Sequence, residues 1–326
     1  MNQEIGVSVL CTAYNHEKYI RQCLDGFIMQ KADFAFEVLV NDDCSTDRTA
    51  DIIREYAEKY PEIIRPFYQK KNLYSQKISI SATVFAPEIR GKYIALCEGD
   101  DYWTDPMKLQ KQFDVMEDNP DCHFSVHSVY RLVGDDITSS FPNGISTGFL
   151  STKQVLQKNA EAYSFHTSSF LFRTDDYFTY LKENPAFKRV CDVGDEPMVL
   201  YFCQLGLTSY FQESMSAYRI VSENSWNQRV RSSKLRTSHF AGMAHMMEEY
   251  DLYTNYQYHD ICLKYIFRMH YINATYFDGR YKELLAPELK DAFREANLAC
   301  KIKANLDRWF PHLFSLLYTK YRTIKK

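Results

Sequence analysis

The stretch from Tyr93 to Trp103 (Tyr-Ile-Ala-Leu-Cys-Glu-Gly-Asp-Asp-Tyr-Trp) constrains the fold more than any other part of the chain. Its first five residues form an apolar run with the length and composition of a strand buried on both faces. The run stops at three carboxylates within four residues, Glu98, Asp100 and Asp101. Asp105 and Pro106 then open a predicted helix as N-cap and first residue, and Leu109, Phe113 and Met116 continue it at helical spacing. A strand ending in an acidic turn places anionic oxygens at the carboxyl edge of a sheet, where open α/β folds bind ligands. Such carboxylates repel one another, and a divalent cation is their natural counter-charge. A solvated turn followed by a helix cap accounts for the three acids alone equally well.

The flanking sequence alternates between strand and helix. Ile5 to Thr12 reads as a strand, followed by the polar loop Ala13-Tyr14-Asn15-His16 and a helix with Tyr19, Ile20, Cys23, Leu24, Phe27 and Ile28 on one face. Phe36 to Val40 is a second strand, ending in Asn41-Asp42-Asp43-Cys44-Ser45-Thr46-Asp47, and a helix runs from there to about Lys59. Ile64 to Tyr68 is a third strand, and a helix over Ile78 to Ala86 precedes the strand at Tyr93. This alternation predicts an α/β fold with a mostly parallel, right-handed βαβ sheet over the first 120 residues. Three polar strand ends then share one edge, and two of them carry paired aspartates.

After Pro120 the pattern changes. Cys122 to Leu132 and Ser164 to Arg173 read as strands, and the segment Gly134 to Gly148 between them as an exposed loop. Asp192 to Pro197 opens a predicted helix over Met198 to Leu205, and Ser216 to Arg219 is a short last strand. From about Ser232 the chain reads as helices, the last with Trp309, Phe310, Leu313, Leu316, Leu317 and Tyr321 on one side and Lys320, Arg322, Lys325 and Lys326 behind them. The chain is therefore expected to divide into an α/β part over 1–230, with halves 1–120 and 121–230, and a helical C-terminal extension over 231–326.

Composition removes several alternatives. A net charge of −3 supplies no basic field to hold a nucleic-acid backbone, so nucleic acid is not an expected partner. The nine cysteines are scattered, several lie in apolar runs, and none are paired at metal-ligand spacing, as expected of reduced thiols in a cytoplasmic protein. Met1-Asn2-Gln3-Glu4 leads straight into a strand-like run with no signal-peptide pattern, and no run of about 18 apolar residues occurs.

Four segments in order resemble the inverting family 2 glycosyltransferases with the GT-A fold. Val7-Ser8-Val9-Leu10-Cys11-Thr12-Ala13-Tyr14-Asn15 resembles the opening strand and nucleotide-binding turn of that family. Glu37 to Thr49 resembles its aspartate-aspartate-glycine-serine-threonine-aspartate run, and Gly91 to Trp103 its DxD metal motif. Gly194-Asp195-Glu196-Pro197, with Tyr218-Arg219 and Trp226 downstream, resembles its acceptor-side segment. Two positions depart from the pattern. Cys44 stands where glycine is common, and Val221 occupies the place of a histidine that often follows the Tyr-Arg pair.

The resemblance implies an enzyme that moves a sugar from a nucleotide diphosphate-sugar, a UDP-sugar in this reading, to a glycan or lipid-linked acceptor in surface polysaccharide synthesis. Thr12, Ala13 and Tyr14 would cradle the base, and Asp42 or Asp43 would accept from base or ribose. Asp100 and Asp101 would hold the ribose and a Mg2+ or Mn2+ ion bridging the phosphates, with Glu98 nearby and Asp101 as the direct ligand. Asp195 at a helix N-terminus would be the general base, with Asp192 and Glu196 in reserve. Trp103, Tyr102, His166, Thr167, Ser168 and Arg219 would face donor or acceptor groups. The C-terminal helix either packs on the protein or lies on the cytoplasmic leaflet. A sugar nucleotidyltransferase shares this layout, but Ala13-Tyr14-Asn15-His16 is not the glycine- and arginine-rich phosphate loop such enzymes carry. A non-catalytic glycan-binding protein of the same fold is the other reading.

Overall fold

The structure is a computed structural model and describes residues 4–134, 136–142, 144–161, 165–220, 233–311 and 314. Its α/β core is a mixed sheet that begins as predicted. Strand β1 (Ile5–Ala13) runs parallel to β2 (Ala35–Asp42) and to β4 (Tyr93–Leu96), and β2 runs parallel to β3 (Ile64–Tyr68). Val7, Val9 and Cys11 on one face and Ser8 and Leu10 on the other are all buried, as a strand covered on both faces requires. The strand order across the sheet is β3-β2-β1-β4, then β9 (Leu171–Arg173), β6 (Cys122–Val133), β10 (Leu207–Arg219) and β5 (Tyr102–Trp103). Chain order therefore reverses between β1 and β4, and a doubly wound sheet opens a crevice at such a switch point.

Beyond β4 the sheet becomes mixed. Strand β9 (Leu171–Arg173) lies antiparallel between β4 and β6 (Cys122–Val133), while β10 (Leu207–Arg219) runs parallel to β6. The two-residue β5 (Tyr102–Trp103) pairs antiparallel with the end of β10. Helix α1 (Ile20–Ile28) buries Ile20, Cys23, Leu24, Gly26 and Phe27, the face its periodicity predicts, and α2 (Thr49–Lys59) buries Ile52, Ile53 and Tyr56. Helix α3 (Lys108–Asp118) follows an entry turn in which Asp105 Oδ1 accepts the N–H of Met107 at 2.8 Å, so Asp105 caps the turn before the regular helix.

Several predicted segments come out differently. The helix expected over Ile78 to Ala86 is present but irregular and shifted, a π-helix (Ser81–Phe85) running directly into a 3-10 helix (Ala86–Glu88). The segment expected as an exposed loop contains β7 (Asp136–Phe141), which pairs with β6, and β8 (Gly148–Leu150), which pairs with β10. Ser164 to Arg173 is not one strand. Its serines satisfy the backbone locally, building a 3-10 turn (Thr167–Ser169) before β9, with Ser169 Oγ donating to the His166 carbonyl at 2.7 Å. Helix α4 is Asp195–Leu205 and starts earlier than expected, because Pro197 falls in its first turn, where an N–H has no intrahelical acceptor. Strand β10 extends over 13 residues rather than four; register irregularities between Phe211 and Ser216 and the polar pair Gln212-Glu213 hide its continuity from a periodicity reading.

The chain forms two compact units. The first takes residues 1–155, 164–183 and 199–228; the second takes 156–163, 184–198 and 229–326. The second is helical, with α5 (Ala186–Arg189), α6 (Ser233–Tyr253), α7 (His259–Asn273), α8 (Lys290–Glu295) and α9 (Leu298–Trp309). Within it Phe187 meets Tyr250 and Tyr253 edge-on at 5.4 and 5.2 Å, and Ala274, Tyr281, Leu284, Cys300, Ala304 and Phe314 form a separate apolar cluster. A single boundary near 230 therefore misses two short earlier segments that belong with the helices. Val221, Trp226 and most of the terminal segment after Phe310 lie outside the described residues. Among the described residues no helix is long and apolar enough to cross a membrane.

Candidate functional site

Three loops converge at the carboxyl edge of the parallel strands and are tied by main-chain bonds. Gly99 N–H donates to the Thr12 carbonyl at 2.9 Å, Cys97 N–H to Leu10 at 3.2 Å, and Asp43 N–H to Ala13 at 2.9 Å. Gly99 allows this approach, since a Cβ there would lie 3.0 Å from both the Ala13 Cβ and the His16 ring. The loop after β1 is clamped to the loop after β2: Asn15 N–H donates to Ser45 Oγ at 2.9 Å, and His16 N–H to Thr49 Oγ1 at 2.8 Å. Tyr14 sits half-buried within this clamp. Cys44 has φ +64°, which explains why glycine suits the position.

The two aspartates after β2 do different work. Asp43 accepts the N–H groups of Leu73 and Tyr74 at 2.7 and 3.1 Å and so fixes the segment after β3. Asp42 is buried and accepts Ser45 N–H through Oδ2 at 3.2 Å, while its buried Oδ1 has no hydrogen-bond partner. Burial, aided by Asp47 and Asp43, raises its pKa above the ordinary carboxyl value. Asp42 is thus the member of the pair with an oxygen left to accept from a ligand.

Asp101 is the buried centre of the acidic turn. Its N–H donates to the Glu98 carbonyl at 3.0 Å, and its Oδ1 accepts the main-chain N–H of Arg219 at 2.9 Å. The Arg219 guanidinium donates to the Asp100 carbonyl and to Gln22 Oε1, and lies over the rings of Tyr19 and Tyr102 at 5.0 and 4.8 Å. His166 enters from the turn before β9, with Nε2 3.6 Å from Asp101 Oδ2. Its ring lies 4.1 Å from that of Tyr218, and its Nδ1 is 2.9 Å from Ser168 Oγ, which in turn lies 2.8 Å from Ser216 Oγ. Burial lowers the His166 pKa to about 4, so the imidazole is neutral near pH 7 and its contact with Asp101 is not an ion pair. Burial also pushes the Asp101 carboxyl well above its usual range, with Asp100 and Glu98 adding to the rise.

Glu98, Asp101 and His166 each present one donor atom, all within 4.8 Å of one another. Two carboxylate oxygens and a neutral imidazole nitrogen suit a hard or borderline divalent ion such as Mg2+ or Mn2+. Of the residues singled out from the sequence, Thr12, Ala13, Asp42, Asp43, Glu98, Asp100, Asp101, His166, Ser168 and Arg219 thus meet at one sheet edge.

Trp103 does not join them. Its indole is 1% exposed, donates to the Ser168 carbonyl at 3.1 Å and meets Phe27 edge-on, so it is a core residue with no face left for a sugar. Asp195 belongs to the second unit, in the first turn of α4, where its Oδ1 accepts the N–H of Glu196 at 2.9 Å. Glu196 beside it is buried and accepts from Asn159 Nδ2 at 2.7 Å. Sequence reading gave His166 no place beside the acids because a lone histidine in a serine-rich run carries no spacing signal; only the sheet brings it to the turn 65 residues upstream.

The family model described as Glycosyl transferase family 2 matches residues 8–178, just over half of the chain. An uncharacterized protein of Mycobacterium tuberculosis, Rv1520, is 39% identical over 166 residues, 48% of this chain and 46% of its own length. The putative teichuronic acid biosynthesis glycosyltransferase TuaG of Bacillus subtilis is 32% identical over 132 residues, 40% of this chain and 49% of its own length. The matched stretch thus spans about half the length of these curated relatives. Among solved structures, S. aureus TarS 1-349 in complex with UDP-GlcNAc aligns with a TM-score of 0.60 at 16% identity, covering 92% of this chain and 78% of that one, a likeness of fold. The acidic strand ends, their order along the chain and the extent of the family match agree, and this chain belongs to glycosyl transferase family 2.

Proposed function

We propose that the chain transfers a single sugar from a nucleoside diphosphate donor, a UDP-sugar, to a hydroxyl of a glycan or lipid-linked acceptor, with inversion at the anomeric carbon and with Mg2+ or Mn2+ bound at the acidic turn. The observation that carries the reading is the convergence of Glu98, Asp101 and His166 beside the carboxyl ends of β1, β2 and β4. The uridine donor is read across from TarS, which has the same fold and was solved with UDP-GlcNAc.

The Asp42 Oδ1, buried and unpartnered, is an acceptor for an N–H of the base or an O–H of the ribose. Asp101, held by a main-chain N–H from β10, and His166, oriented by Ser168, are the metal-facing donors, with Glu98 at the solvent side. The ion, when bound, supplies positive charge against the diphosphate as it leaves. Asp195 takes the proton of the attacking hydroxyl, a role that suits a carboxylate in the first turn of a helix.

A thermal-shift panel of nucleotide sugars with and without Mn2+ tests the donor site. One UDP-sugar should stabilise the protein only with metal, and Asp101→Ala should abolish the effect. An equal response to every nucleotide, or to none, would overturn the reading. Asp195→Asn should keep the donor affinity within about twofold while lowering turnover by roughly 10²-fold or more. Joint loss of binding and turnover would make Asp195 a structural residue.

A further inference from the structure

Helix α9 (Leu298–Trp309) carries two apolar faces where a helix packed on a protein needs one. Its inner face, Cys300, Ala304 and Asp307, is buried; Cys300 and Ala304 join the apolar cluster of the second unit, and Asp307 Oδ2 accepts the N–H of Lys282 at 2.8 Å. The outer face is exposed and holds Leu298, Ile302, Leu306 and Trp309, with Leu298 at 73% and Trp309 at 67% accessibility; Phe310 follows at 58%. At 3.6 residues per turn these four side chains fall within an arc of about 80°, roughly opposite the buried face. Such a row is not the scatter of single apolar residues that any surface shows.

The charges beside this row name its occupant. On the same helical wheel Lys303 lies to one side of the apolar arc, half-buried with its Nζ donating to the Tyr281 hydroxyl at 3.3 Å; to the other side lie Lys301, whose Nζ donates to the Arg294 carbonyl at 2.7 Å, and the outward Arg308. Arg308 is exposed and lies 5.2 Å over the Trp309 ring. From Leu298 to Lys326 the sequence has seven Lys or Arg residues and one acid, Asp307, a net +6 in a chain whose total is −3. An apolar row flanked by cations, with a tryptophan at its end, has the chemistry of a helix lying in the headgroup layer of an anionic bilayer. A second copy of this chain would instead bring the same cations against themselves. We propose that the outer face of α9 docks this protein on an anionic lipid surface, with Leu298, Ile302, Leu306 and Trp309 entering the acyl boundary and the exposed Arg308 beside them contacting phosphate headgroups. The proposal is independent of the donor, the metal and the catalytic base.

Vesicle flotation of the full chain tests it, comparing neutral phosphatidylcholine vesicles with vesicles containing about one-third phosphatidylglycerol. The protein should float with the anionic vesicles, at least about tenfold more than with the neutral ones, and raised salt should release most of it. The double substitution Ile302→Glu and Trp309→Glu, at two outward positions, should abolish flotation while leaving the circular dichroism and the urea midpoint unchanged. No flotation with anionic vesicles would overturn the proposal, as would equal flotation of the variant. Light scattering that finds a dimer of the wild type and a monomer of the variant would overturn it too, assigning the face to self-association.

Discussion

Glu196 shows how one buried side chain sets the pH response of its surroundings. Burial first, and the adjacent Asp195 second, push its carboxyl up to about 8, against the pull of the Asn159 amide and of Arg268. Between the ordinary carboxyl value and pH 8 the folded chain keeps this proton while the unfolded chain has lost it. Stability contributed here is therefore complete at low pH and declines as pH rises towards 8. Glu196→Gln preserves an acceptor for Asn159 and removes the titration. The variant should accordingly gain on the wild type in unfolding free energy, measured by urea titration from pH 6 to pH 8, by on the order of 1 kcal/mol per pH unit; parallel curves would refute the assignment. Glu37 behaves oppositely. It too is buried, but hydrogen bonds from Arg90, Ser8 and Arg65 overcome the burial penalty and hold its carboxyl below the usual range. Neither partner set can be read from the sequence, since Ser8, Arg65 and Arg90 reach Glu37 across 29, 28 and 53 residues.

Among the elements, α1 is positioned most tightly. Gly26 lets it approach β5 so closely that an added Cβ would lie 2.9 Å from the Trp103 nitrogen and 3.0 Å from its carbonyl oxygen. Both are main-chain atoms and cannot swing aside. Gly26→Ala gains helix propensity of about 1 kcal/mol, but the overpacking costs about 1–3 kcal/mol, so a net loss is expected. A lower urea midpoint together with weaker binding of the proposed donor in the presence of Mn2+ would confirm that this contact reaches the acidic turn two residues away; an unchanged midpoint would show that the helix relaxes freely. Periodicity made the first four strands and both early helices legible, because buried parallel strands and their covering helices carry strong apolar runs. It failed at β7, whose residues Asp136 to Ser139 are exposed, and at β10, whose bulged middle breaks alternation. The acids of the site were legible because they cluster in sequence. His166 and the unpartnered oxygen of Asp42 were not, since their roles arise only from burial and packing.

For the whole molecule, the interleaving of two units matters more than their sizes. Residues 156–163 and 184–198 precede the helical segment in sequence but belong with it. A chain ending at residue 230 would keep Phe187 while removing Tyr250 and Tyr253 from around it, and would keep Asn159 and Glu196 while removing Arg268, whose guanidinium donates to the Asn159 carbonyl at 3.1 Å. Such a fragment should lose cooperative urea unfolding or aggregate, although it retains the whole family match; a sharp, native-like transition would show that the first unit folds by itself.

The bond between Arg219 and Asp101 has an evolutionary corollary. The donor is the peptide nitrogen, so every amino acid except proline at position 219 supplies it equally. Drift at that codon can alter the cationic cover over Tyr19 and Tyr102 while leaving the aspartate's anchor intact. Saturation mutagenesis there should accordingly yield a graded series with one sharp outlier, the imino acid.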